Sequence, residues 1–350
     1  MKIHVISETD MVMKATGVHT AFIDHVQLLK QSENIEVFVN NEGYGDVFHS
    51  HTYGLYYFLK GLRYRGRKVF TAHVIPDSVK GSLPMWELFM PLVKAYLRLI
   101  YSYADVCIAI SPHVEKAILD TKANTRIVRI DNPVRTEIWK RTDYMRRKGK
   151  EMLGVDSNEF VVLGVGQVLG RKGVDDFIEI SKCVPEARFI WAGGRPFGKL
   201  TEGIKRLDEK FAMANRNLFR AGPFDVSLMP YIYSAGDLLL FPSLQENCPL
   251  TPIEAAASGM PVIFRDLDEY KSLYENTYIK AGTLSEFVNL TRRMIYDRNY
   301  YEEGLEISKR LLVQFDKERI KEKLILLYND LIENRENAQL FARKIRTASS

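Results

Sequence analysis

Along the chain, short unbroken apolar runs alternate with longer segments whose apolar positions recur every three or four residues. KIHVIS (2–7) is the first run, and a turn separates it from helical periodicity over about 18–31. IEVFV (35–39), KVFTA (68–72), VCIAI (106–110) and IVRI (127–130) follow, the last ending at Asn132-Pro133, a natural strand terminus. The pattern then restarts. FVVLGVG (160–166) predicts a strand, DDFIEISKCV (175–184) a helix and ARFIWAGG (187–194) a strand ending in glycines. LLLFPS (238–243), after the Ala235-Gly236-Asp237 turn, and PVIFRD (261–266) predict two more strands, and a periodic segment over about 317–333 predicts a closing helix.

Strands alternating with helices predict a largely parallel, doubly wound sheet, and the restart predicts two such sheets. Two α/β domains facing across a cleft fit this pattern better than one large sheet or an eight-fold barrel. The switch near 135–158 carries charge and glycine, as a connector should, which sets expected domains at 1–145 and 146–350. The final helix is free in this scheme to pack back on the N-terminal domain.

Composition narrows the class. With 350 residues, 46% hydrophobic and 27% charged, the chain is an ordinary globular protein long enough for two cores. Cys107, Cys183 and Cys248 are far apart and form neither a metal-ligand spacing nor a disulfide framework, which fits a reducing compartment. No run resembles a signal peptide or approaches 18 uncharged apolar residues, so neither export nor a membrane span is expected. Residues 1–148 hold 21 Lys/Arg against 15 Asp/Glu (+6), whereas 149–350 hold 28 against 29 (−1). The positive excess in the first half suits an anionic surface, lipid or nucleic acid.

Candidate chemistry concentrates in three places. In PSLQENCPLTPIEAAASGMPVI (242–263), Glu246 and Glu254 stand eight residues apart across a Pro-rich turn. Thr251-Pro252-Ile253-Glu254 fits a capping box, with Glu254 as its third-position carboxylate. The turn Asn247-Cys248-Pro249-Leu250 can offer backbone N–H groups to sugar hydroxyls or phosphate oxygens. Glu246 beside it suits a polyol better than a bare phosphate. In LGVGQVLGRKGVDDF (163–177), Gly164, Gly166, Gly170 and Gly173 surround Arg171 and Lys172 just after a strand. Glycines admit an anion to the backbone and two cations would neutralise a diphosphate, although the spacing is neither a P-loop nor a dinucleotide fingerprint. A tight turn with two solvated cations explains the same residues. In the first half, Gly17 after Thr16 can let a ligand pass close or simply turn the chain, and His73 in TAHVIPDS is either a structural histidine or a hydrogen-bonding group at a strand end. His49 and His51 in FHSHTYG lack a carboxylate or cysteine partner, and a zinc reading is rejected.

KGLRYRGRK (60–68) clusters five cations around Tyr64, and residues 82–105 mix Trp86, Phe89, Tyr96, Tyr101 and Tyr103 with Lys94 and Arg98, with Pro91 positioned to split a helix. Such a helix could rest in a bilayer interface, or be an ordinary cover for a parallel sheet. No recognition-helix or RNP signature accompanies the basic stretch, so nucleic acid is not the expected partner; an acidic protein could use the same cations.

These residues together resemble the retaining glycosyltransferases with two Rossmann-like domains, family 4. The E-x7-E element, Glu246 to Glu254, is the most specific match. Within the family, GVGQVLGRKGVDDFIEISKCVPEARFIWAGGRPFGKLTEG, GRKVFTAHVIPDSVKGSLP and FPSLQENCPLTPIEAAASGMPVIFRDLDEY are similar to the branch that extends monoglycosyldiacylglycerol in Gram-positive bacteria. The resemblance covers nearly the whole chain.

It implies a GT-B-type α/β fold, donor binding in the C-terminal domain, acceptor binding in the N-terminal domain, and no essential metal. It implies UDP-galactose or UDP-glucose as donor, a membrane glycolipid as acceptor, and peripheral attachment to the anionic inner face of the cell membrane from the cytoplasm.

Residue by residue, it implies that Glu246 and the backbone of Asn247, Cys248, Pro249 and Leu250 lie by the hexose, and that Glu254 binds the ribose. Lys172, aided by Arg171, would meet the diphosphate beside Gly166 and Gln167; Gly17 would lie near the phosphates and His73 would contact the hexose. Two positions depart from the family pattern. Gln167 stands where an arginine is usual, and Thr16 precedes Gly17 where many relatives have a second glycine. Transfer to diacylglycerol itself, transfer to a soluble or polysaccharide acceptor, and a non-enzymatic membrane-associated nucleotide-binding scaffold are the alternatives.

Overall fold

A computed structural model describes residues 1–350 except 10–16, 53, 80–85, 196–203, 276 and 349–350, and the side chains of 57, 204 and 335–348. Thr16, the start of the 82–105 segment and part of GGRPFGKLTEG lie outside the described residues. The chain divides into two compact units, Met1–Ile75 with Leu92–Pro133 and Asp316–Ser350, and Pro76–Pro91 with Val134–Phe315.

The first unit holds a six-stranded parallel sheet. Its strands are β1 (Lys2–Ile6), β2 (Glu36–Val39), β3 (Val47–Ser50), β4 (Arg67–Ala72), β5 (Val106–Ala109) and β6 (Arg126–Arg129), in the order β2-β1-β3-β4-β5-β6. The apolar runs form its centre because strands covered on both faces need no polar alternation. Ile3, Val5, Val47, Val69, Val106 and Ile108 share a buried cluster with Phe22 and Val26 of the helix Gly17–Lys30. The closing helix, Lys317–Ala348, contributes Ile320, Leu324, Leu327, Tyr328 and Leu331 to the same cluster. Their spacing of three and four places them on one face, the stripe that the sequence periodicity marked. Arg67 Nε also donates to the Leu331 carbonyl at 3.1 Å.

The second unit holds another parallel sheet: β7 (Val161–Val165), β8 (Arg188–Ala192), β9 (Leu218–Gly222), β10 (Leu238–Phe241), β11 (Val262–Arg265) and β12 (Ile279–Ala281), ordered β12-β11-β10-β7-β8-β9. This is the doubly wound order 3-2-1-4-5-6, which reverses between its first and fourth strands, β7 and β10. Phe177, Phe189 and Trp191 stack edge-on in its core, with ring centroids 5.2 and 5.4 Å apart.

Three strands escape the apolar-run criterion. β3 is interrupted by His49, whereas β9 and β12 are sheet edges whose outer positions carry polar or half-exposed residues. The helix Trp86–Tyr103 runs unbroken through Pro91, contrary to the expected split. A proline removes one backbone bond from a helix without forbidding it when the rest of the helix holds. Tyr64 is also not part of an exposed basic face. It is buried, stacked on Tyr44 at 4.0 Å, and hydrogen-bonded to His4 Nδ1 at 3.2 Å. Among the cations around it, Arg67 pairs with Asp105 at 3.2 Å and Lys68 lies 5.0 Å over the Tyr103 ring, while Arg63 and Arg65 are exposed.

Candidate functional site

Ligands of doubly wound sheets bind outside the carboxyl ends of the strands where the strand order reverses. In the second unit those ends are β7 and β10, and the chain leaves them through the two stretches that the sequence singled out. After β7 comes Gly166 to Gly173, and after β10 comes Pro242 to Leu250.

The four glycines of the first stretch have different reasons. A Cβ on Gly164 would lie 2.4 Å from the Trp191 ring, so this glycine makes room for the core rather than for an anion. Gly166 adopts φ +145° and accepts from the Trp191 indole N–H at 3.0 Å, and a Cβ on Gly193 would meet the Gly166 carbonyl at 1.8 Å. Gly170 opens a single 3₁₀ turn, Gly170–Lys172, and a Cβ there would meet nothing within 4 Å. Gly173 is left-handed at φ +70°, and its missing Cβ would strike the Pro242 carbonyl at 2.1 Å. Gly173 therefore lets the two stretches touch. The Leu244 N–H donates to the Arg171 carbonyl at 2.8 Å, which ties them together.

This contact delivers Lys172 to Glu246. Lys172 Nζ lies 2.5 Å from Glu246 Oε1, with the two side chains 17% and 8% exposed. Burial pushes the ammonium pKa down, Glu246 opposes that shift, and Arg171 adds to it. Glu246 thus favours the charged form of Lys172 in a place where an unpaired ammonium would be costly to bury. Sequence reading assigned the two residues to separate ligand groups and did not foresee that they pair. Nothing local signals a contact between residues 74 positions apart.

Glu254 departs from the capping-box expectation. The helix is Thr251–Ala257, with Leu250 at the N-cap position and no side-chain cap bond, so Thr251 is already helical. The Glu254 carboxylate instead accepts from the buried Tyr233 hydroxyl at 2.6 Å. Tyr270 is fully buried with Glu246 among the charges acting on it, and its hydroxyl has no partner among the described residues. Cys248, Pro249 and Leu250 are buried, and Asn247 Nδ2 donates to Ser78 Oγ at 2.9 Å. Gly166, Gln167, Arg171, Lys172, Glu246 to Leu250 and Glu254 all belong to the second unit.

Gly17 and His73 belong to the first. Gly17 opens its helix, and a Cβ there would meet nothing within 4 Å, so no close neighbour among the described residues demands glycine. His73 follows β4 directly and is 6% exposed. Alternate residues of a strand share a face, so His49 and His51 point the same way from β3 and its end, as do Thr71 and His73 from β4 and its end. The helix Gly17–Lys30 adds His25 to that face, and the closing helix adds Tyr328. His51 Nδ1 lies 2.9 Å from His73 Nε2, His49 Nε2 lies 2.7 Å from Thr71 Oγ1, and the Tyr328 hydroxyl bridges His49 Nδ1 (2.6 Å) and His25 Nε2 (3.0 Å). Burial holds His25 and His73 down at about 3, and His49 and His51 well below 6.5. All four imidazoles are neutral at pH 7.

His25 completes a trio that sequence reading, which weighed His49 and His51 alone, had missed. The donor atoms of His25, His49 and His51 lie within 4.8 Å of one another. Tetrahedral zinc would draw such ligands to about 3.4 Å, and ligation through one His49 nitrogen would displace its hydrogen bond to Tyr328 or to Thr71.

Comparison with known proteins bears on both units. Residues 41–138 match the family described as Glycosyltransferase Family 4, and residues 159–297 match Glycosyl transferases group 1. An alpha-galactosylglucosyldiacylglycerol synthase of Streptococcus pneumoniae is 32% identical over 286 residues, covering 79% of this chain and 76% of that protein. The chain belongs to the family-4 glycosyltransferases. A processive diacylglycerol alpha-glucosyltransferase of Acholeplasma laidlawii is 24% identical over 95% of this glycosyltransferase and 99% of its own length. The structure of Anabaena Alr3699/HepE with UDP and glucose superposes with a TM-score of 0.74 at 19% identity, over 94% of the enzyme and 100% of that chain. Sucrose-phosphate synthase from Thermosynechococcus elongatus gives 0.75 at 16% identity over 95% and 100%. The fold is thus the GT-B type, two Rossmann-like domains, as the resemblance implied.

Proposed function

We propose that the enzyme transfers an α-hexosyl group, galactosyl in preference to glucosyl, from a UDP-sugar to monoglucosyldiacylglycerol, with retention of configuration. The observation that carries the donor half is the buried Lys172–Glu246 pair at the β7/β10 ends. A diphosphate arriving there brings a second anion to the ammonium. Lys172, with Arg171, then stabilises the negative charge that grows as UDP leaves. Glu246, released from sole responsibility for Lys172, accepts from hexose hydroxyls, with the backbone of Asn247 to Leu250 beside it. Glu254, oriented by Tyr233, accepts from the ribose. Gly166 and Gln167 flank the phosphates, and Arg171 supplies charge that Gln167 lacks. His73 hydrogen-bonds the hexose as a neutral group.

In the reaction, the bond between the anomeric carbon and the UDP oxygen breaks, and an acceptor hydroxyl bonds to that carbon on the same face. The acceptor proton passes to the departing phosphate, so neither a protein nucleophile nor a metal ion is required.

The acceptor half rests on the pneumococcal relative and on the helix Trp86–Tyr103. Leu88, Leu92 and Leu99 are 66%, 69% and 54% exposed at spacings that share one face, with Phe89 (55%) beside them and Lys94 and Arg98 exposed on the same helix. A helix that only covered a sheet would bury that stripe. An exposed apolar stripe flanked by cations suits the interface of an anionic bilayer, with peripheral attachment at the cytoplasmic face. Among the described residues, no helix is long and apolar enough to cross a membrane.

The test is a product assay with glucosyl-diacylglycerol in mixed micelles, with UDP-galactose and UDP-glucose supplied separately and a chelator present. A galactosylglucosyl lipid from UDP-galactose, or a diglucosyl lipid from UDP-glucose, supports the reading and names the sugar. A second reading follows from the Acholeplasma relative, addition to diacylglycerol itself; monoglycosyl product from diacylglycerol alone would select it. No lipid product with either acceptor would overturn both.

A further inference from the structure

The His51–His73 contact places two neutral imidazoles nitrogen to nitrogen at 2.9 Å. Such a contact holds only if one ring donates its single proton and the other accepts. Two arrangements are possible. If His73 Nε2–H donates, the His51 proton must sit on Nε2. If His51 Nδ1–H donates, the His73 proton must sit on Nδ1 and His51 Nε2 is bare. His51 Nε2 is buried and has no partner among the described residues. The first arrangement would strand an N–H donor in the core and the second only an acceptor, and stranded donors are the rarer outcome in native proteins.

The surroundings hold His51 in place for this role. Its ring stacks on His49 at 4.7 Å and meets His25 edge-on at 4.6 Å, while His73 lies end to end with it, the planes 25° apart and the centroids 5.2 Å apart, as an in-plane N–H···N contact requires. His49 in turn is fixed from both nitrogens, by Thr71 and by Tyr328 of the closing helix. The last helix of the chain thereby braces the residue that binds His73, although it contributes no residue to the proposed catalytic contacts.

We propose that His51 is a positioning residue that locks His73 in the Nδ1–H tautomer, so that His73 meets the sugar only as a hydrogen-bond donor. This rests on the reading above that His73 contacts the hexose. A fixed donor accepts no sugar hydroxyl proton; it recognises a hydroxyl or ring oxygen and strengthens as that oxygen's environment polarises during transfer. With the proton placed beforehand, no ring flip or tautomer exchange accompanies binding.

Nitrogen-15 NMR of the full-length protein labelled at histidine reads the tautomer directly, and needs no variant. His73, assigned by its loss in His73→Asn, is expected to show a protonated Nδ1 and a bare Nε2; the opposite pattern in the wild-type protein would overturn the proposal. Kinetics supply the second arm. His51→Asn keeps a donor near the Nδ1 position and is expected to retain kcat within about threefold, whereas His51→Leu removes it and should lower kcat about tenfold or more with little change in donor KM. Equal loss in both variants with an unchanged His73 spectrum would mean that His51 is only a packing residue. Should His51→Leu fail to fold, the wild-type spectrum and His51→Asn still decide the matter. Full activity in His73→Ala would instead sink the underlying hexose assignment, and leaves the tautomer measurement standing by itself.

Discussion

The two domains bury polar groups at the carboxyl ends of similar parallel sheets and solve the cost of burial in opposite ways. The second domain sets a cation against an anion, Lys172 on Glu246. The first collects four imidazoles, keeps all of them neutral, and joins them by hydrogen bonds to Thr71 and Tyr328. A charged pair can be reorganised by an incoming anion, because that anion can offset the loss of Glu246 beside the Lys172 ammonium. A neutral stack has no charge to rearrange and offers only fixed donors and acceptors. The contrast matches the proposed roles: Lys172 of the charged pair answers the diphosphate, whereas the neutral cluster offers only His73, as a hydrogen-bonding group for the hexose.

The largest expected effect breaks the charged side. Lys172→Ala should lower kcat/KM by at least about 100-fold, the scale of losing a charge that acts on the leaving group. It also leaves Glu246 buried and unpaired, so the melting temperature should fall; Lys172→Ala with Glu246→Gln should recover stability but not transfer. Activity in either variant near wild type would remove Lys172 from the diphosphate.

Acid tests the neutral side. His25 and His73 titrate near 3 when folded and near 6.5 when unfolded, and His49 and His51 shift the same way. The unfolded chain therefore binds more protons across about pH 3 to 6.5. The contribution is complete above 6.5 and is lost as pH falls below it. Denaturant melts should show at least about 2 kcal/mol less stability at pH 5 than at pH 7.5, a difference that flat curves would refute.

A smaller effect concerns the ribose. Glu254→Gln keeps the shape and the contact with Tyr233 but loses the charge, and should raise the donor KM about five- to tenfold while kcat changes little. A fall in kcat at constant KM would reassign Glu254 to the transition state. The smallest lies at the surface of the helix Trp86–Tyr103. Leu92→Ala should weaken binding to anionic vesicles about threefold in a sedimentation assay and leave stability unchanged, since Leu92 is already exposed. Loss of stability without loss of vesicle binding would return that leucine to a packing role.

Much of the fold was legible because parallel strands covered on both faces are continuous apolar runs. β1, β4, β5, β7, β8, β10 and β11 announce themselves in that way. β3 does not, since its inward face carries His49 and continues into His51, and a run interrupted by histidine reads as a loop or a metal motif. β9 (LFRAG) and β12 (IKA) are equally silent, because a charged residue cuts each apolar run to two residues or fewer. Of the candidate site, Glu246, Glu254, Arg171 and Lys172 were visible from residue type and from their position after strands. The reasons for their neighbours were not. Gly164 and Gly173 look alike beside the cations, yet one makes room for Trp191 and the other for Pro242.

By itself the sequence determined the class of architecture, two doubly wound sheets, through hydrophobic periods that local geometry must satisfy. It also determined which residue types stand at the strand ends. Only the tertiary structure decided which of them meet. Lys172 finds Glu246 because the left-handed turn at Gly173 lets two loops touch, and His25, His49, His51 and His73 converge because strand alternation and two covering helices aim them at one face. Such encounters depend on through-space distances between residues far apart in the chain, which a one-dimensional pattern does not contain.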